Sequence, residues 1–268
     1  MSPKTTRIIT IITYMLGALC SVALVVYGYT QQMNMPMKEL VINIDRSDEL
    51  NFVDEDNVKE LLLNKGYKVI GDHYQTILVS DIEQAIDNDP SVMKSQAYKS
   101  INGILTIDVK QRTPLVRVMN VQNDSYYIDQ VGKLMPLSDK HSQRVLIANG
   151  NVFESYGTFY HYDFSKTEAQ DSILAHTKLD DIYRIAKYIN DDEFLKAQIE
   201  QVYVDKDFIL IPKLGNHTII LGDANNVKIK LNKLKAFYLN AFSKIDINKY
   251  STLNLKYANQ IVCTKAAQ

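Results

Sequence analysis

The chain has 268 residues, with 30 basic and 31 acidic side chains and a formal net charge of −1 at neutral pH. A nearly neutral chain is poorly suited to neutralising phosphates, so nucleic acid is not the expected partner. The length suits two domains of about 100 to 150 residues each. The two cysteines, Cys20 and Cys263, lie near opposite ends of the chain and are not expected to pair.

The first predicted element is an apolar helix over residues 8–29, a stretch without charged residues. A helix of about 22 residues is roughly 33 Å long, enough to cross a hydrocarbon core of about 30 Å. Lys4 and Arg7 precede it and no charge follows before Lys38, so the positive-inside rule predicts a cytoplasmic stub at 1–7. A cleaved signal peptide fits less well, because its apolar region is about 7 to 15 residues long. Membrane lipid is therefore an expected contact.

After a linker predicted at 30–39, residues 40–112 show the pattern of a small α+β domain. Ser80-Asp81-Ile82-Glu83 fits a capping box at a helix start, and Asn102-Gly103 fits a two-residue hairpin turn. The two helices are expected on one face of a three-stranded sheet. The predicted order is a strand at 40–44, helices beginning after Asp54 and at Ser80, and strands at 92–101 and 105–110.

A second domain is predicted from residue 113 to residue 265. Pro114 cannot donate to a ladder, so the first sheet should end near Gln111. Short alternating runs separated by turn residues then predict a sheet-rich domain with helical inserts, which makes the fold class of the whole chain α+β. The predicted strands are 115–121, 126–129, 134–137, 145–148, 201–212, 218–221 and 251–264, and the predicted helices are 167–189 and 224–242.

Two surface features have ordinary interpretations. The segment 153–164 holds six aromatic residues among acidic neighbours, which favours a loop folded onto its own sheet and leaves a protein-contact patch as the alternative. The second predicted helix of this domain has a basic side that is interpreted as a solvated face. Its lysines are Lys228, Lys230, Lys233 and Lys235.

Catalysis is not expected. Ser91-Val92-Met93-Lys94 fits the S-x-x-K pattern of penicillin-binding enzymes, but Ser91 follows Pro90 at the start of a predicted strand. A spacing of three on a strand sends Ser91 and Lys94 to opposite faces, whereas that chemistry needs adjacent turns of a helix. The five histidines are dispersed, so neither a metal site nor a cofactor nor a small-molecule substrate is predicted.

Three stretches lie in order behind the predicted anchor. The run 103–114, G-I-L-T-I-D-V-K-Q-R-T-P, is similar to the motif "tL.I.v.eR.P". The run 127–132, Y-I-D-Q-V-G, is similar to "lvD..G", and 253–257, L-N-L-K-Y, is similar to "vdLRY". Together these stretches resemble the FtsQ/DivIB family of bacterial cell-division proteins, in which the first motif ends the POTRA domain. The chain departs from the family in having no Trp and in carrying Lys256 where the motif has arginine.

The resemblance implies a non-enzymatic, single-pass protein of the bacterial inner membrane, with periplasmic C-terminal domains, that acts at the division septum and links septum assembly with peptidoglycan synthesis. It also implies partners, the small bitopic division proteins FtsB and FtsL, one of which adds a short strand to the sheet. For the strand, the alternative is a terminal strand that merely closes the core. For the function, two alternatives stay open: a POTRA-bearing envelope assembly or secretion factor, and the less favoured penicillin-binding-like enzyme. The implied partner-binding residues are Lys256, Tyr257, Asn259, Gln260, Ile261, Val262 and Cys263.

Overall fold

The structure is a computed structural model that describes residues 3–165, 177–241 and 249–266. The chain forms two compact units. The first consists of Met1–Asp45 and Val53–Gln111, and the second consists of Arg46–Phe52 and Arg112–Gln268. The short segment 46–52 therefore groups with the second unit although its sequence lies within the first.

The first unit begins with α1 (Pro3–Met33). Its part Ile11–Met33 has 23 residues, and an 18-residue stretch within it has a mean hydropathy of 2.0 and contains no buried residue. This confirms an apolar N-terminal helix that is long enough to cross a membrane. The helix continues four residues beyond Tyr29, so the first part of the predicted linker is helical.

The rest of the first unit is a three-stranded sheet with two helices, in the predicted order strand, helix, helix, strand, strand. β1 lies parallel to the central strand β3, and β2 lies antiparallel to it. Leu105, Ile107 and Val109 of β3 are buried, as their alternation predicts. The elements are β1 (Glu39–Asp45), α2 (Glu55–Asn64), α3 (Val79–Asp87), β2 (Val92–Lys99) and β3 (Ile104–Gln111).

The hairpin between β2 and β3 differs from its prediction. Ser100 N donates to Ile104 O (2.9 Å), which leaves a three-residue loop at 101–103 instead of a two-residue turn. Gly103 has φ +82°, whereas Asn102 is not in the left-handed region. A two-residue type I′ turn needs positive φ at both central positions, so the predicted turn is wrong.

The start of α3 also differs from its prediction. Its N-cap is Leu78, which makes no side-chain capping bond, so the capping box predicted at Ser80 is wrong. Glu83, the expected second member of that box, accepts a hydrogen bond from Ala97 N at 2.7 Å with its Oε1. The Glu83 carboxylate therefore accepts from a main-chain N–H of β2 and does not cap the start of α3.

The second unit is a nine-stranded mixed sheet in the order β12-β11-β10-β9-β8-β7-β4-β5-β6. The pairs β4–β7, β7–β8 and β10–β11 are parallel, and the others are antiparallel. Its strands are β4 (Pro114–Met119), β5 (Ser125–Asp129), β6 (Leu134–Pro136), β7 (Leu146–Gly150), β8 (Ile199–Val204), β9 (Phe208–Pro212), β10 (Thr218–Gly222), β11 (Tyr250–Asn254) and β12 (Val262–Lys265). Its helices are α4 (Tyr156–Phe159), α5 (Leu179–Asn190), α6 (Glu193–Gln198) and α7 (Val227–Ala241), with a 3-10 turn at Ser47–Glu49.

One face of this sheet carries the hydrophobic core. Helices α5 and α7 contribute Ile182, Ile185, Leu231 and Leu234, each completely buried. These side chains share one cluster with alternate residues of the strands, so each strand presents one side to the helices. The strand residues of the cluster include Val118, Val202, Leu210, Ile219 and Leu253.

Two predicted single strands are hairpins. The stretch 201–212 is broken by a turn at 205–207 between β8 and β9, and the stretch 251–264 is divided into β11 and β12. Both predictions are wrong, and neither turn contains the Gly or Pro that most strongly marks a break between strands. The predicted helix 167–189 lies partly outside the described residues, and the helix seen within the described part is α5, which begins at Leu179. Phe242, at the end of the predicted helix 224–242, also lies outside the described residues.

The aromatic segment 153–164 lies against the second unit's own core. Phe164 is buried, and Phe159 and Tyr162 pack against the cluster. The Tyr126 hydroxyl donates to Glu154 O at 2.8 Å and joins the segment to β5. Phe153 is 68% exposed, so only part of the segment faces solvent.

Candidate functional site

The candidate site is the hairpin of β11 and β12 at one edge of the nine-stranded sheet. β12 pairs antiparallel with β11, from Asn254 opposite Val262 to Tyr250 opposite Lys265. Within the described ranges no strand pairs with the other side of β12. The sheet edge that sequence analysis assigned to one long strand at 251–264 is thus formed by the four-residue strand β12.

The hydrogen-bonding direction along β12 follows from one contact. Ala266 N donates to Lys249 O at 2.8 Å, so this N–H points towards the β11 side. Successive N–H groups of a strand alternate in direction, which turns the N–H groups of Cys263 and Lys265 to the outer edge. The carbonyl of Cys263 points the same way. The Ser251 hydroxyl approaches Lys265 O at 3.4 Å, so the freest outward groups are these two N–H donors and one carbonyl.

The loop before β12 is held by a single lysine of α7. Lys233 Nζ donates to Leu255 O (3.1 Å), to Gln260 O (3.2 Å) and to Tyr257 O. Burial lowers the pKa of Lys233, and the nearby Lys230 charge lowers it further. Three backbone carbonyls around one ammonium satisfy its three donors, so the loop before β12 is preorganised for binding.

The basic side of α7 is therefore not simply solvated. Lys230 Nζ lies 2.6 Å from Asp223 Oδ1, and Lys235 Nζ lies 2.6 Å from Asp192 Oδ2. Together with Lys233, three of the four lysines bind groups of the same unit. The interpretation as a solvated face is wrong for these three, because helical periodicity gives the direction of a side chain but not its neighbour.

Lys256 also binds within its own unit. Its Nζ lies 2.9 Å from Asp207 Oδ2 in the turn between β8 and β9. Its side chain passes over Gly222, where an added Cβ would lie 2.8 Å from Lys256 Cγ. Lys256 thus ties two turns together, and its ammonium would have to leave Asp207 before it could bind a partner.

The other predicted site residues lie together in the hairpin but face in different directions. Tyr257 is half exposed, and Asn259 and Gln260 are exposed on the loop. Ile261 and Cys263 pack against the core cluster, and burial raises the pKa of the Cys263 thiol. Val262 is 40% exposed on the opposite face. The exposed side chains of the predicted site are therefore those of Lys256, whose ammonium is paired with Asp207, and of Tyr257, Asn259, Gln260 and Val262.

A row of mostly apolar side chains continues from Val262 on the open face of the sheet, which is the face opposite the core helices. Cross-strand pairing places Asn254 beside Val262, then Ile220, Ile209 and Tyr203 in successive strands. The last three are half-buried or exposed. Sequence analysis missed this row, since its members lie up to 59 positions apart and only the strand register brings them together.

The described residues contain no group of three His, Cys, Asp or Glu side chains that could hold a metal ion. Ser91 precedes β2 and Lys94 lies on that strand, so no helical turn joins them, as predicted.

Comparison with family models assigns both units. A model described as FtsQ/DivIB, C-terminal related, matches residues 113–264, and a POTRA-like domain model matches residues 37–110. No curated protein gives a significant match to the chain. The first model spans more than half of the 268 residues and contains two of the three motifs. With the observed helix, small α+β unit and mixed sheet in the same order, the chain belongs to the FtsQ/DivIB family.

Proposed function

We propose that this protein is a membrane-anchored, non-enzymatic scaffold of the division machinery that captures a short strand of a small FtsB- or FtsL-like partner on the outer edge of β12. FtsQ/DivIB-related and POTRA-like domains support a scaffold role in cell division. The proposed binding position on β12 is supported by the outward direction of the Cys263 and Lys265 N–H groups, since β12 pairs with β11 on one side only in the described residues.

The main chain supplies only part of the affinity. Three outward groups at about 1 kcal/mol each give roughly 3 kcal/mol, whereas a micromolar complex needs about 8 kcal/mol. Side-chain burial must contribute the rest. A strand added to β12 lies next to Val262 on the open face and close to the half-exposed Tyr257 on the loop. We therefore expect a partner strand with an apolar residue opposite Val262.

The proposed topology places residues 1–7 in the cytoplasm and the two units in the periplasm, because Lys4 and Arg7 precede the apolar helix. The protein would act at the septum and bring its partner towards the enzymes of peptidoglycan synthesis. A C-terminal alkaline phosphatase fusion should be active. An inactive phosphatase fusion together with an active cytoplasmic reporter would contradict this orientation.

The edge is tested by proline substitution along β12. Lys265→Pro removes an outward N–H of about 1 kcal/mol and should lower the affinity for the partner about fivefold with little change in melting temperature, whereas Lys265→Ala keeps the N–H and should bind as the wild type does. Thr264→Pro removes an N–H that points to β11 and should destabilise the hairpin. Equal affinities of Lys265→Pro and Lys265→Ala would place the partner elsewhere.

A further inference from the structure

The end of α1 is hydrogen-bonded directly to the first unit. Residues 34–37, which continue from the helix, run alongside residues 71–75. Four main-chain hydrogen bonds join residues 33–37 to residues 71–75: Gln75 N to Met33 O (3.2 Å), Tyr74 N to Met35 O (2.9 Å), Met37 N to Asp72 O (2.8 Å) and Gly71 N to Met37 O (2.8 Å). The helix and the domain are thus joined by a ladder and not by a free tether.

The β2–β3 hairpin loop lies at the same place. Lys38 N donates to Gly103 O at 2.7 Å. An added Cβ on Gly103 would lie 3.0 Å from Pro36 O and 3.3 Å from Met35 Cε, so the loop contacts the chain just after the helix. Ile101, two residues before Gly103, is 76% exposed at this loop.

The depth of these segments follows from the length of the helix. The apolar run ends at Tyr29, before the polar Thr30-Gln31-Gln32, and Met33 lies one turn, or about 6 Å, further along. The headgroup region on each side of a bilayer is about 5 to 7 Å thick. If the apolar run fills the hydrocarbon core, the groups that bind Met33 and Met35 lie in the headgroup layer, and Tyr27 and Tyr29 lie where aromatic residues prefer to sit.

Three exposed apolar side chains lie on or beside these segments. Ile70 precedes Gly71, whose N donates to Met37 O at 2.8 Å. Leu78 follows Ile77, and Lys99 Nζ ties Ile77 O (2.9 Å) to Tyr74 O (2.7 Å). A single exposed isoleucine needs no explanation, but Ile70, Leu78 and Ile101 are each more than half exposed. Ile70 and Ile101 lie in segments that are hydrogen-bonded to the chain at the end of α1, and Leu78 lies beside a segment that Lys99 joins to one of them.

We infer that Ile101, with Ile70 and Leu78, inserts into the headgroup–acyl boundary of the membrane that α1 spans. The occupant of this apolar surface is lipid because the hydrogen bonds to residues 33–38 hold it at the depth of the interface. Exposed Lys38 and Glu39 nearby balance in charge, so apolar burial and not attraction to anionic lipid drives the contact. The first unit is then held against the bilayer at a fixed height. This inference rests on the anchoring part of the proposed function.

The test measures lipid contact at single labelled cysteines in the full-length protein reconstituted into vesicles. The vesicles contain phosphatidylethanolamine and phosphatidylglycerol, with part of the lipid carrying brominated acyl chains that quench a bimane label. Ile101→Cys and Leu78→Cys are made in a chain that carries Cys20→Ala and Cys263→Ala. Both positions are exposed, so the labels should not disturb the fold.

Two control positions frame the result. Native Cys20, kept as the single cysteine, lies on the apolar helix and reports whether α1 is inserted. Met93→Cys is the matched exposed apolar position near the far end of β2, eight residues from Ile101 and therefore roughly 26 Å away along an extended chain.

We expect loss of fluorescence at Cys20, Ile101→Cys and Leu78→Cys, and none at Met93→Cys. Quenching at Cys20 without quenching at positions 101 and 78 overturns the inference and leaves the anchor intact. Equal quenching at positions 101 and 93 also overturns it, because the contact would not be specific to this end of the unit. Absence of quenching at Cys20 overturns both the inference and the proposed anchoring.

Discussion

Arg112 Nη1 lies 2.8 Å from Asp129 Oδ2, and this ion pair joins two of the three motif stretches. The Asp129 side chain is only 2% exposed. Its Oδ1 accepts hydrogen bonds from Val131 N (3.0 Å) and Lys133 N (2.8 Å) in the turn before β6. One carboxylate therefore fixes both the entry to the second unit and the turn between its second and third strands.

Loss of this ion pair should strongly destabilise the second unit. Arg112→Ala leaves the Asp129 carboxylate buried without its cation, which costs about 3 to 5 kcal/mol when one partner of a buried pair is removed. Urea unfolding of the detergent-solubilised protein, followed by circular dichroism, measures the change. The matched control is Lys187→Ala, because the Lys187–Asp191 pair (3.1 Å) is exposed and should contribute less than about 1 kcal/mol. Equal effects of the two changes would contradict the assigned role.

The glycine of the second motif should not tolerate a side chain. Gly132 has φ +81°, and an added Cβ would lie 2.4 Å from Ser165 N. Gly132→Ala combines about 1 kcal/mol or more of backbone strain with a clash against main chain, so the melting temperature should fall by several degrees. Gly157→Ala is the control, since nothing lies within 4 Å of its added Cβ, and it should be neutral. An unchanged melting temperature for Gly132→Ala would mean that the turn can rearrange.

Lys233 should order the loop that carries the candidate partner residues. Lys233→Met keeps the length of the side chain but removes the donor to the carbonyls of Leu255, Tyr257 and Gln260. We expect faster amide hydrogen exchange over residues 257–261 and weaker partner capture, with at most a small loss of global stability. Lys228→Met, on the exposed side of the same helix, is the control and should change neither quantity. Unchanged exchange in Lys233→Met would contradict the role of this lysine.

Buried His217 should make the second unit sensitive to acid. Its Nε2 lies 2.7 Å from the Tyr238 hydroxyl, and its Nδ1 is buried without a partner in the described part of the chain. Burial lowers the pKa of His217 below its ordinary value of about 6.5. Below that pH the unfolded chain takes up a proton that the folded state refuses, so stability is retained above pH 6.5 and falls as the pH decreases.

The measurement is the melting temperature of the wild type and of His217→Gln between pH 7.5 and pH 5. Glutamine can still hydrogen-bond Tyr238 but does not titrate in this range. The decrease should be smaller in the variant than in the wild type. Parallel curves for the two proteins would show that His217 does not contribute to acid sensitivity.

The order of elements in the first unit and the burial of β3 were predictable because the information is local. Leu105, Ile107 and Val109 alternate with polar residues, and a period of two selects one face of a strand whatever that face packs against. The apolar helix is local in the same sense, since its length and lack of charge suffice to indicate a membrane span. The three motif stretches likewise indicated the family without any coordinates.

The details of the candidate site depended on tertiary structure. No Gly or Pro interrupts residues 253–263, so only the pairing of β12 with β11 revealed a hairpin with a turn near Tyr257. Periodicity placed Lys233 on the polar side of α7, but the carbonyls that it binds belong to a loop more than 20 residues away. A sequence pattern specifies which way a side chain points from its own element. The groups that the side chain contacts are decided by the packing of distant segments. That packing places Lys233 against the carbonyls of a loop and divides the predicted strand 251–264 into the paired strands β11 and β12.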